Sequence, residues 1–163
     1  MPYDRWWKDG TLHGQEVNMP ELSKILLDSP PDLDATPVIA FLSKLSHPVE
    51  VCHGPGEEVP CPLLVGKGCE KVSSAHGIIY HLDLDRPAHR EILREYRRQV
   101  PSDVPLRVVV QPGQDRTYAE LLRGLPVWTH DPSPSELDGF AAMVEAADFM
   151  RGENEKLWGQ SPE

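Results

Sequence analysis

Basic charge, cysteine and long apolar runs are all scarce in this chain, and each shortage removes a class of function. Lys and Arg number 16 against 26 Asp and Glu, a formal net charge of -10. A general nucleic-acid binder needs surplus cations to neutralise phosphates, so nucleic acid is not expected as a partner. No apolar stretch approaches the ~18 residues of a membrane span, so no membrane association is expected either. Met1 to Asp9 contains no apolar core of a secretory signal. With 3 cysteines, an odd number, and no such signal, the expected setting is a reducing cytoplasm. Also missing are a Cys-x-x-Cys pair, an Arg spaced from Cys52 as a phosphatase loop requires, and a Gly-Lys-Ser/Thr nucleotide loop.

What the chain does have is 163 residues, enough for one domain with a proper core, and 17 prolines placed at element boundaries rather than in a repeat. Residues 1–18 read as a polar arm carrying Trp6 and Trp7, which either pack onto the body or anchor a protein partner. Asn18, Pro20 and Glu21 form a helix-start signal, which predicts a helix running to Asp28 and stopped by Ser29-Pro30-Pro31. A second helix is predicted from Thr36, with Val38, Ile39, Phe41, Leu42 and Leu45 on one face. Residues 19–47 are thus expected to be a helical extension of a core at 48–151, and 152–163 a frayed tail.

Within that core, strands are expected at 48–52, 77–82, 106–110 and 125–129, and helices at 88–100, 115–122 and 135–150. The unbroken aliphatic runs at Ile78-Ile79 and Val108-Val109-Val110 are typical of strands buried on both faces. Alternating strands and helices predict an α/β fold: a short parallel sheet of about four strands with helices on both faces. In Gly77-Ile78-Ile79-Tyr80-His81-Leu82-Asp83-Leu84-Asp85-Arg86-Pro87 such a strand delivers acids to the carboxyl edge of the sheet, where open α/β folds place their sites.

These residues carry a resemblance. Asp83 followed four positions on by Pro87, the strand 106–110, and Val127-Trp128-Thr129-His130-Asp131-Pro132 before a last helix resemble the receiver domain of bacterial response regulators, a flavodoxin-like fold. The resemblance implies a phosphoacceptor at Asp83, a Mg²⁺-holding acidic pair at the end of the first strand, a Ser or Thr ending the fourth, and a Lys before the last proline. With the first strand at 48–52, the acidic pair is replaced by Cys52-His53-Gly54, the hydroxyl by Gln111-Pro112 and the Lys by Asp131. A carboxylate without these partners is a poor phosphoacceptor, because nothing neutralises the developing phosphoryl charge. The short span between 52 and 77 also predicts the loss of one element. The expected fold is therefore a degenerate, pseudo-receiver domain whose acidic edge consists of Asp83, Asp85, Gln111 and Asp131.

Three further groups compete for function. Cys52, His53, Cys61 and Cys69 lie in one Gly/Pro-rich segment and could close a tetrahedral Zn²⁺ site, or Cys52 could serve as a nucleophile beside the Gly54 loop. The alternative is a loop ordered by packing of Val59, Leu63, Leu64 and Val65, with Leu64 the side chain to test. His81, Asp83 and Asp85 alternate and so share a face, either as an acid–base group or as partners of the next helix. Arg90, Arg94 and Arg97 form a basic stripe suited to an acidic partner, unless Glu91 and Glu95 neutralise it. The reading that results is a cytoplasmic, non-catalytic regulatory or protein-interaction module, with no required cofactor. The alternative is a zinc-binding accessory protein or a small cysteine-dependent enzyme.

Overall fold

Ile25, Leu26 and Leu27 occupy the middle of the molecule, where a helix was expected. In the computed structural model, which describes residues 22–159, they form strand β1 (Ile25–Asp28), buried along its whole length. Three apolar residues in a row, followed by Asp28, bury on both faces of the sheet, and such a run is too short for periodicity to tell strand from helix. The helix-start residues Asn18, Pro20 and Glu21 lie outside the described residues.

β1 lies between β2 (Val49–Cys52) and β3 (Gly77–Tyr80), followed by β4 (Leu106–Val109) and β5 (Val127–Trp128), in the order β2-β1-β3-β4-β5. All pairings are parallel; Asp28 stands in register with Cys52 on one side and Tyr80 on the other. The sheet therefore has five strands rather than four, and the supposed helical extension supplies its first strand and first helix. No strand is lost between β2 and β3. The crossover has instead shrunk to an irregular loop and the single turn α2 (Glu70–Ser73).

Alternation along the strands feeds two cores. Ile25, Leu27, Ile79 and Val109 meet Leu42 of α1 (Thr36–Lys44) and Leu137, Phe140 and Val144 of α6 (Pro134–Trp158). Leu26, Ile78, Tyr80 and Val108 meet Ile92, Leu93 and Tyr96 of α3 (Pro87–Gln99) on the other face. α6 starts where its sequence says it should: Ser133 and Glu136 form a reciprocal capping box, with Pro134 in the first turn. It packs so closely on β3 that a Cβ at Gly77 would stand 2.4 Å from a Val144 methyl. It also continues to Trp158, through most of the segment expected to fray. The helix expected at 115–122 is divided into two turns, α4 (Gln114–Thr117) and α5 (Ala119–Leu122).

The loop between β2 and α2 hangs on Leu63, which is 4% exposed, whereas Leu64 is 38%, Val65 50% and Val59 71% exposed. The expected anchor, Leu64, is one residue off. Leu63→Ala is expected to cost about 2–5 kcal/mol in denaturant unfolding, and Leu64→Ala distinctly less, since only the first empties a packed site. Equal costs would contradict this anchoring.

Candidate functional site

A parallel sheet puts all its strand ends at one edge, and here that edge gathers the groups singled out in the sequence. Cys52 ends β2, Asp83 follows β3, Gln111 follows β4 and Asp131 follows β5. Asp83 is held in place. Its Oδ1 accepts the backbone N–H of Asp85 at 3.0 Å and the Nε2 amide of Gln114, also at 3.0 Å. Gln114 is 5% exposed, and its own Oε1 accepts the Gln111 N–H at 3.0 Å. One buried amide thus joins the ends of β3 and β4. Nothing in the sequence marks it, because a Gln after a Pro-Gly turn is indistinguishable from a surface residue until the fold brings Asp83 beside it.

The three residues expected to share a face separate beyond Tyr80, where the strand ends. Asp85 accepts the Tyr118 hydroxyl at 2.7 Å, and Arg90 lies over the Tyr118 ring at 5.2 Å. His81 stands 4.0 Å from Asp131; burial pushes its imidazole below the usual range, with Asp131 acting in the opposite sense. Neither acid caps α3 through its side chain. Asp83 instead takes the Arg86 N–H and the His89 Nδ1–H on its carbonyl.

With β1 in place, the end of the first strand reads Asp28-Ser29-Pro30, not Cys52-His53-Gly54. It contains one acid, and that acid is turned away from solvent. Asp28 is wholly buried and neither carboxyl oxygen has a hydrogen-bond partner of good geometry. Burial raises its pKa to about 7, against smaller lowering effects from Tyr96, Lys71 and Cys52. Among the described residues no group of three His, Cys, Asp or Glu side chains is arranged to hold a metal ion. The residues here do not fit the Mg²⁺ site that the resemblance implies.

The cysteines follow the same pattern of partial assembly. Cys52, Cys61 and Cys69 all line one cavity of about 580 Å³, together with Asp28 and Tyr96. His53 does not join them; its Nδ1–H donates to the Ser29 carbonyl at 2.9 Å, so the four-ligand zinc set is not brought together. Burial raises the Cys52 pKa, which keeps it a thiol and disfavours the nucleophile reading. The basic stripe is largely occupied within the molecule: Arg90 donates to the Leu84 carbonyl, Arg97 to the Leu121 carbonyl, and Arg94 pairs with Glu91. Trp6 and Trp7 lie outside the described residues.

No protein-family model matches the chain, and no curated protein matches it. Solved structures do. An adenylate cyclase from Rhodopirellula baltica superposes with a TM-score of 0.54 at 16% identity, over 86% of this chain and 99% of that one. A response regulator from Burkholderia multivorans gives 0.54 at 19% identity, over 76% and 95%. The receiver domain of the sensor histidine kinase PA1611 from Pseudomonas aeruginosa, solved with magnesium in its active-site cleft, gives 0.55 at 17% identity, over 76% and 98%. The fold is receiver-like.

Asp28 leaves a signature in stability. Its folded pKa of about 7 lies above the ordinary 3.8, so its contribution is fully present below about pH 4 and is lost as pH rises towards 7. The loss is on the order of 4 kcal/mol for a shift of this size. Asp28→Asn is expected to remove that part of the decline when unfolding free energies are compared between pH 4 and pH 8. Parallel curves for the two proteins would mean that Asp28 titrates normally.

Proposed function

We propose that this chain is a non-catalytic regulatory module of receiver-like fold, acting in the cytoplasm by binding a protein partner and not nucleic acid. The observation that carries the reading is the clamped Asp83. The resemblance puts it at the phosphoacceptor position, and its Oδ1 is engaged by Gln114 and by the Asp85 N–H. Only Asp28 remains of the first-strand acids, and it faces the interior. Gln111 and Asp131 stand where a hydroxyl and an ammonium would be needed. An acid at the position of the Lys repels a developing phosphoryl charge instead of stabilising it.

A module of this kind needs a surface, and the outer half of α6 supplies apolar area. Met143, Phe149, Met150 and Leu157 are 45%, 67%, 58% and 73% exposed. Met143, Met150 and Leu157 recur at the seven-residue spacing of a helix-packing seam. This supports a protein partner better than the Arg90, Arg94 and Arg97 stripe does, because those guanidinium groups already have acceptors.

Incubation with acetyl phosphate and Mg²⁺ is the test. No acid-labile phosphate is expected on the protein. A stable label that disappears in Asp83→Asn would show that the edge is a working phosphoacceptor and would overturn the non-catalytic reading.

A further inference from the structure

The cavity under the Cys-rich loop is not explained by a receiver-like edge. It lies on the α3 side of the sheet, is roofed by the loop between β2 and α2, and measures about 580 Å³, within the size range of small-molecule sites. Its walls are mostly apolar, with Leu63, Leu82, Ile92 and Pro60 among them. Asp28 also lines it; it is wholly buried, neither carboxyl oxygen has a hydrogen-bond partner of good geometry, and its polar neighbours are Tyr96 and Cys52. Leaving a carboxyl in this state costs free energy, and native proteins rarely keep such a group without a use.

The charges around the cavity favour a cation. Lys24 is neutralised by Glu50 at 2.6 Å, and Lys71 donates to the Val51 carbonyl at 3.2 Å. Counting Glu70 and an ionised Asp28, three carboxylates face two ammonium groups, so one positive charge would complete the set. Two unpartnered oxygens on one carboxyl match two parallel N–H donors, the geometry of a guanidinium or amidinium. A metal ion is a poorer match, since no three ligating side chains are grouped among the described residues.

We infer that this cavity is a binding site for a small planar cation of the amidinium or guanidinium class, carrying an apolar body, with Asp28 as its bidentate acceptor. The apolar body lies against Leu63 and Ile92, and the cation replaces the missing partners of Asp28. The cavity opens beneath the same sheet edge but does not include Asp83, so the binding assignment and the absence of phosphorylation at Asp83 are tested by different measurements.

Benzamidine is a suitable probe, with benzamide as its neutral isostere. Both are titrated calorimetrically into the full chain at pH 8, with NMR shifts followed at Tyr96, Leu63 and Ile92. Benzamidine is expected to saturate with a Kd below about 1 mM, moving those resonances. Benzamide, and benzamidine with Asp28→Asn, are each expected to bind at least about tenfold more weakly, as loss of one partner of a buried charge pair requires. Should Asp28→Asn fail to fold, the comparison of the two probes on the unaltered chain decides alone. No saturation up to about 10 mM, equal affinity for benzamidine and benzamide, or undiminished binding by Asp28→Asn would overturn the assignment.

Discussion

The complete burial of β1 between β2 and β3 is the constraint from which the rest of this structure follows. A strand paired on both sides and covered on both faces must satisfy its backbone entirely within the ladder, and its side chains must be apolar both up and down. Ile25 and Leu27 then seed the core under α1 and α6, while Leu26 seeds the one under α3. The same burial takes in the last residue of the strand whatever its chemistry. That residue is Asp28, and the loop that roofs it carries Cys61 and Cys69, with Cys52 at the end of β2 just before it.

At the carboxyl edge of this receiver-like scaffold the first strand ends in one interior carboxyl, Asp28, and Asp83 is held to the end of β4 through the buried amide of Gln114. Neither arrangement disturbs the parallel ladder. The fold tolerates this because its stability lies in the two aliphatic layers, not in the loops that follow the strands.

Much of the scaffold was legible in the sequence, for identifiable reasons. Ile78-Ile79 and Val108-Val109 read as doubly buried strands because aliphatic runs of that length have few other uses, and Pro87 and Pro134 marked helix starts through their fixed φ. β1 is not legible, because three apolar residues have no resolvable period and a helix-start signal precedes them. Reading that run as a helix moves the acidic-pair position from Asp28 to Cys52 and makes the fold look one element short. Leu63 and Leu64 could not be told apart, since an irregular loop has no periodicity to say which side chain turns inward. Gln114 was missed because its role depends on a contact 31 positions away in the chain, with Asp83. The helical course of α6 past residue 151 shows only in weak local pairs such as Glu153 with Lys156.

The central claim is that Asp28, the acid at the end of the first strand, is buried in the interior, where desolvation outweighs the lowering effects of Tyr96, Lys71 and Cys52. It is tested most directly by following the carboxyl carbon resonance of Asp28 through a pH titration of the folded protein. A midpoint near 7 is predicted from its burial. A midpoint near the ordinary 3.8 would place this carboxyl in contact with water or a cation and would return it to the edge.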